Sequence, residues 1–208
     1  MAHKLHPLYR LNRAFSRLVL RVIFRYEGRG MENLPEGGFV LAAGHHSNFD
    51  PWPLGIAISD RHVVRYMAKS ELFWWPLSFF MRGMGAFRVR RDEGDRDALA
   101  TARQLLREGN VIGMFPEGTK RTKGLLRRRE AKPHTGAARI ALGAGVPLVP
   151  AGLAGTDRLS RLAKLKVAYG APVPVDDLAG LGHREAARIA TERLMERIYE
   201  LEAELARA

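Results

Sequence analysis

Residues 38–51, GFVLAAGHHSNFDP, join an apolar run to a polar turn and the start of a helix. The uninterrupted apolar run 38–43 predicts a buried strand. Asp50 followed by Pro51 predicts a helix start, because aspartate is a preferred N-cap and proline suits the first helical turn. Functional sites of α/β proteins gather where strands end and helices begin. The polar residues 44–50 therefore mark a candidate site.

The rest of the chain continues the same alternation of strands and helices. Apolar runs predict further strands at 63–68, 110–115, 147–151 and 165–169, and helical patterns lie between or after them at 52–59, 71–81, 95–107, 135–142 and 184–207. Residues 83–91, GMGAFRVRR, alternate apolar and basic side chains, which is typical of a charged edge strand. We expect an α/β fold with a mixed, largely parallel central sheet flanked by helices.

Composition narrows the class of protein further. The chain has 208 residues, enough for one domain, and it has no cysteine, which excludes disulfides, thiolate metal sites and a cysteine nucleophile. A formal net charge of +12 indicates an anionic partner, such as nucleic acid, a membrane surface or a phosphorylated substrate. No apolar run is long enough for a transmembrane helix, and arginines interrupt every candidate secretory signal.

The N-terminal segment has the pattern of a basic amphipathic helix. One face carries five arginines at helical spacing: Arg10, Arg13, Arg17, Arg21 and Arg25. Apolar residues occupy the other side: Leu8, Leu11, Phe15, Leu18, Val19, Val22 and Ile23. Two interpretations fit this pattern. The apolar face packs on the core with the arginines in solvent, or it enters a membrane surface while the arginines meet anionic headgroups.

The turn after the first strand carries the candidate catalytic pair. A carboxylate from Asp50 that hydrogen-bonds the imidazole of His45 would fix the ring tautomer and leave its other nitrogen able to accept a proton. With no cysteine present, such a histidine would act as a general base toward a substrate hydroxyl. Simple helix capping by Asp50 is the alternative, and the two roles are compatible.

A second polar segment, residues 114–124 with the sequence MFPEGTKRTKG, follows the predicted strand 110–115. It combines an acid, a glycine that permits close backbone approach, a hydroxyl and several cations. Such a set can hold a polyol phosphate, with the cations on the phosphate and the carboxylate on a hydroxyl. The glycine spacing of a P-loop is absent. A tight basic turn without a ligand is the other interpretation.

Four segments in order resemble the motifs of the glycerolipid acyltransferases, especially the bacterial 1-acylglycerol-3-phosphate (lysophosphatidic acid) acyltransferases. They are residues 44–50 (GHHSNFD), 85–91 (GAFRVRR), 115–120 (FPEGTK) and 146–150 (VPLVP). Residues 66–73 (YMAKSELF) resemble the lysine-containing stretch of the same family. Gly44 stands where asparagine is usual in the first motif, and Lys120 replaces the commoner arginine of the third.

The resemblance implies that His45 deprotonates the hydroxyl of a lysophospholipid, which then attacks an acyl thioester of coenzyme A or acyl carrier protein. It implies that Asp50 orients His45 and that no cofactor or metal takes part beyond the acyl donor. The implied substrate-binding residues are Lys69, Arg91, Glu117, Gly118, Thr119 and Lys120, with Arg90 as the alternative to Arg91.

The resemblance also implies a location. Residues 1–26 would form a membrane-associating helix and residues 27–208 the acyltransferase domain, at the cytoplasmic face of an anionic membrane as a peripheral or monotopic protein. The alternatives are acyl transfer to another lysophospholipid or to glycerol 3-phosphate, hydrolysis of the thioester, and nucleic-acid binding, for which no recognition motif is evident. Acyl-chain length and oligomeric state stay open.

Overall fold

The computed structural model describes residues 7–69, 86–89, 95–118 and 133–207. In these ranges seven strands form one sheet in the order β1-β7-β6-β2-β5-β3-β4. The strands are β1 (Glu27–Arg29), β2 (Val40–Ala43), β3 (Val64–Lys69), β4 (Ala86–Val89), β5 (Val111–Met114), β6 (Leu148–Ala154) and β7 (Lys166–Tyr169). Every neighbouring pair is parallel except β6 and β7, which are antiparallel.

Helices flank the sheet and connect its strands. The described helices are α1 (Pro7–Val22), α2 (Pro51–Ile56), α3 (Asp95–Arg107), α4 (Gly136–Ala144) and α5 (His183–Arg207). Short 3-10 turns occupy Met31–Asn33, Thr156–Arg161 and Asp176–Leu178. The sheet has a hydrophobic cluster on each face, because β2 sends Val40 and Ala42 into one cluster and Leu41 and Ala43 into the other. That burial on both faces explains why this strand is apolar throughout.

The register brings several strand ends to one edge of the sheet. Ala42 of β2 pairs with Met114 of β5 and with Pro150 of β6, all in parallel. On the far side of β5, Tyr66 of β3 pairs with Gly113. The carboxyl ends of β2, β5 and β3 therefore lie side by side, and the residues that follow β2 and β5 meet at that edge.

The expected fold class is confirmed, with two differences in detail. The sequence did not indicate β1, which is only three residues long and exposed. Strand β6 runs to Ala154, three residues past the predicted end. The predicted edge strand is present as β4, the outermost strand of the sheet. The predicted helix 71–81 lies outside the described residues.

Helix α1 exposes three of its apolar side chains and directs two of its arginines toward the protein, whereas Leu20 is buried and Arg21 is exposed. Phe15, Leu18 and Val22 are 60–65% exposed. Arg13 donates a hydrogen bond of 2.6 Å to the carbonyl of Ser59, and Arg17 donates one of 2.5 Å to Oδ1 of Asp60. The interpretation in which this apolar face packs on the core therefore does not hold for these three residues.

The contact with α1 also affects the residues after α2. The hydrogen bond from Arg17, together with its charge and that of Arg13, lowers the pKa of the Asp60 carboxyl.

Within the ranges that the structure describes, every helix is too short or too polar to cross a bilayer.

Candidate active site

His45 and Asp50 form a hydrogen-bonded pair in the turn between β2 and α2. Nδ1 of His45 lies 2.8 Å from Oδ2 of Asp50. The side chain of Asp50 is fully buried, whereas that of His45 is 19% exposed. The predicted pairing is therefore present, with the carboxylate buried and the imidazole partly exposed to solvent.

The carboxylate of Asp50 is held by the turn itself. The backbone N–H groups of His46 and Ser47 donate hydrogen bonds of 2.7 and 2.8 Å to the same Oδ2 that contacts His45. Asp50 occupies the N-cap position of α2, but in the described structure its side chain makes no capping hydrogen bond to that helix. The capping alternative is thus wrong for the side chain, which points back into the turn.

The imidazole of His45 is fixed from a second side by Phe115. The two rings stack with centroids 4.6 Å apart and planes 26° from parallel. Because the carboxylate of Asp50 can only accept, a neutral His45 carries its proton on Nδ1 and has a lone pair on Nε2. Among the described residues, Nε2 has no hydrogen-bond partner. This ring is oriented as a proton acceptor.

Two tyrosines fix the start of α2, which follows directly on Asp50. The hydroxyl of Tyr66 in β3 donates 2.9 Å to the carbonyl of Pro51, and that of Tyr169 in β7 donates 2.8 Å to the carbonyl of Leu54. Burial raises the pKa of Tyr169, so this hydroxyl stays protonated and remains a donor. The sheet thereby holds the first turn of α2 in place.

The segment after β5 forms a tight turn beside this pair. The N–H of Gly118 donates 3.0 Å to the carbonyl of Phe115, and Gly118 has a φ of +67°, which favours glycine. A Cβ at this position would lie 2.7 Å from Cδ2 of His134. Glu117 is 4% exposed. The turn therefore needs its glycine for both conformation and space.

The remaining predicted substrate-binding residues are described only in part. Lys69 is the last residue of β3 and pairs with Val89 of β4, so its backbone lies at the same edge of the sheet. Arg91, Thr119 and Lys120 lie outside the described residues, as does Arg90. Within the described ranges, no three His, Asp or Glu side chains are grouped as metal ligands.

Sequence reasoning missed one partner of the turn. Glu202 of α5 places Oε1 2.9 Å from Nε2 of His46. The helical pattern of α5 indicated an apolar face that includes Leu201 and Leu205. Glu202 lies next to that face, and nothing in the sequence indicated that it contacts His46. Only the packing of α5 on the sheet reveals it.

The chain is similar to known proteins over most of its length. The model of the Acyltransferase family matches residues 25–154. A 1-acyl-sn-glycerol-3-phosphate acyltransferase of Bacillus subtilis is 35% identical over 201 residues, which cover 92% of this chain and 97% of the relative. An enzyme of the same name from Haemophilus influenzae is 26% identical, over 81% of this chain and 71% of that protein.

A solved structure shares the fold. The 1-acyl-sn-glycerophosphate (LPA) acyltransferase PlsC from Thermotoga maritima superposes with a TM-score of 0.66 at 24% identity, over 94% of this chain and 80% of that one. The chain belongs to the Acyltransferase family, and the matched segment 25–154 contains both the His45–Asp50 turn and the Glu117 turn.

Replacing Asp50 with alanine should destabilise the fold by about 3 kcal/mol, because two partly buried N–H groups and the imidazole lose their common acceptor. Asp60→Ala is the control: it removes an exposed partner of Arg17 and should cost less than about 1 kcal/mol. Urea unfolding followed by circular dichroism measures both. Equal, small losses in the two variants would contradict the structural role of Asp50.

Proposed function

We propose that this chain transfers a fatty acyl group from an acyl thioester to the free hydroxyl of lysophosphatidic acid, giving phosphatidic acid. The observation that carries the proposal is the partly exposed imidazole of His45, held through Nδ1 by the buried carboxylate of Asp50. The names of the relatives from Bacillus subtilis and Haemophilus influenzae support the substrate.

In the proposed reaction His45 acts as general base. Nε2 takes the proton of the acceptor hydroxyl while the oxygen attacks the thioester carbonyl, forming a C–O bond and a tetrahedral intermediate. The intermediate collapses by breaking the C–S bond, and the proton on Nε2 passes to the departing sulfur. The products are the acylated lipid and a thiol, and His45 is returned to its neutral form.

Asp50 has two tasks in this scheme. Its hydrogen bond to Nδ1 keeps the ring in the tautomer with an acceptor at Nε2, and its negative charge stabilises the imidazolium that forms during the attack. The backbone N–H groups of His46 and Ser47 hold the carboxylate in place through hydrogen bonds, and these bonds leave its negative charge intact.

We assign the acceptor's phosphate and glycerol to residues at the end of β3 and after β4 and β5. Arg91 and Lys120 would bind the phosphate, with Lys69 beside them, and Glu117 would position the glycerol hydroxyl. Gly118 and Thr119 would shape the turn that carries Lys120. The parallel register supports this assignment, since Lys69 ends β3 and the Glu117 turn follows the neighbouring β5, at the edge that also carries His45.

The acyl donor is proposed to be coenzyme A or acyl carrier protein, both of which are anionic and suit a chain with a net charge of +12. The chain uses no further cofactor in this proposal. Other lysophospholipids and glycerol 3-phosphate are the acceptors to compare with lysophosphatidic acid, and thioester hydrolysis is the outcome in which water replaces the acceptor.

We further propose that residues 1–26 dock the domain 27–208 on the cytoplasmic face of a membrane, as a peripheral or monotopic protein. The exposed side chains of Phe15, Leu18 and Val22 support this, because together they would enter the acyl boundary of a bilayer. Arg13 and Arg17 bind Ser59 and Asp60, so these two arginines would anchor α1 to the protein instead of to headgroups.

His45→Ala should lower the turnover number about 10²- to 10⁴-fold, as expected for loss of a general base. The assay follows thiol release from acyl-CoA with and without lysophosphatidic acid. His183→Ala, at the exposed start of α5, is the control and should keep full activity. Wild-type turnover in His45→Ala would contradict the base assignment, and thiol release that does not need the acceptor would indicate hydrolysis.

Arg91→Ala should raise KM for lysophosphatidic acid about tenfold, because a charge-assisted hydrogen bond to the phosphate is lost. The turnover number should change little. Arg107→Ala serves as control, since Arg107 ends α3 shortly before β5 begins and therefore lies toward the amino edge of the sheet. An effect in Arg90→Ala instead would shift the role by one residue, and no effect in either variant would contradict it.

Phe15→Ser combined with Leu18→Ser should weaken binding to anionic liposomes at least about tenfold, because two large apolar side chains no longer enter the bilayer. Leu181→Ser combined with Tyr199→Ser removes two apolar residues elsewhere that are 45% and 49% exposed, and it is the control. Liposome sedimentation measures the effect. Equal binding of both double variants would contradict docking through α1.

A further inference from the structure

Glu202 of α5 contacts the turn that carries the proposed catalytic pair. Its Oε1 lies 2.9 Å from Nε2 of His46, the residue next to His45. The two side chains are only 13% and 23% exposed, respectively. The pair thus connects the last turns of the C-terminal helix with the loop between β2 and α2.

The position of Glu202 is set by close contact between α5 and the sheet. A Cβ on Gly152 of β6 would lie 2.8 Å from Cβ of Leu201 and 3.0 Å from the backbone nitrogen of Glu202. A Cβ on Gly170 would lie 3.1 Å from Cδ1 of Leu201. Gly152 and Gly170 therefore let α5 pack directly on the sheet beside Leu201. This close packing restricts the backbone of Glu202.

His46 transmits this constraint to Asp50. Its ring is held by Glu202, and its backbone N–H donates 2.7 Å to Oδ2 of Asp50. The same oxygen accepts the hydrogen bond from Nδ1 of His45. A shift of the His46 side chain would therefore displace the donor that holds the carboxylate, and with it the ring of His45.

We infer that Glu202 is a positioning residue for the acyl transfer and acts on His45 through His46 and Asp50. The inference rests on the proposed function of the His45–Asp50 pair. Because the imidazole must meet the acceptor hydroxyl at hydrogen-bond distance, a displacement of about 1 Å can cost up to about 100-fold in rate. Loss of the Glu202 contact should therefore lower the turnover number without changing substrate affinity.

The chain offers a matched control on the same helix. Glu204 lies two residues away and pairs with Arg29 of β1 at 3.0 Å, but both of those side chains are about half exposed. Glu202→Leu and Glu204→Leu thus remove the same charge from the same helix, one at the candidate site and one at the edge of the sheet.

Steady-state kinetics of the full chain with acyl-CoA and lysophosphatidic acid form the test. Glu202→Leu should lower the turnover number about tenfold, with both KM values and the melting temperature as in Glu204→Leu. His46→Leu should have a similar effect. The double variant should be no slower than either single one, since both break the same connection.

Several results would overturn the inference. Wild-type turnover in Glu202→Leu would do so, as would losses that multiply in the double variant, because Glu202 would then act independently of His46. If Glu202→Leu does not fold, His46 decides the question. His46→Gln retains an N–H donor toward Glu202 and should keep most of the activity that His46→Leu loses, whereas equal activities of these two variants would overturn the inference.

His45→Ala, measured in the same series, separates the two proposals. An inactive His45→Ala together with a fully active Glu202→Leu would remove only the role of Glu202. A fully active His45→Ala would remove the base assignment itself, and with it the reaction that Glu202 is inferred to support.

Discussion

The buried carboxylate of Asp50 is the interaction on which the candidate site depends. One of its oxygens accepts hydrogen bonds from two backbone N–H groups and from the imidazole of His45. A buried charge needs such partners, and all three of these hydrogen bonds go to Oδ2, whereas the buried Oδ1 has no partner among the described residues. The same hydrogen bonds that hold the carboxylate inside the fold also orient the ring of His45.

The sheet provides what a short turn cannot provide alone. Parallel pairing of β2 with β5 brings Phe115 under the ring of His45 and sets the Glu117 turn beside it. Tyrosine hydroxyls from β3 and β7 hold the start of α2, and α5 reaches the turn through Glu202. Side chains from separate parts of the chain thus fix a loop of seven residues, as a preorganised site requires.

The sequence indicated most of the fold because the central strands β2, β5 and β6 are apolar on both faces and several helices are amphipathic. It indicated the His45–Asp50 pair because polar residues directly follow β2. It could not indicate which way the carboxylate of Asp50 turns, since an N-cap and a histidine partner leave the same pattern. Glu202 was missed because its contact depends on how closely α5 approaches Gly152, a tertiary distance that has no periodic signature. The sequence also could not indicate which face of α1 is exposed, because that depends on the tertiary contacts of Arg13 and Arg17 with Ser59 and Asp60.

The central claim is that His45 carries its proton on Nδ1 and offers Nε2 as the base. Long-range proton–nitrogen correlation spectra of the ¹⁵N-labelled protein above neutral pH measure this directly, with His45→Gln to assign its signals among the seven histidines. We expect a protonated Nδ1 and an unprotonated Nε2. A proton found on Nε2, with Nδ1 unprotonated beside Asp50, would contradict it.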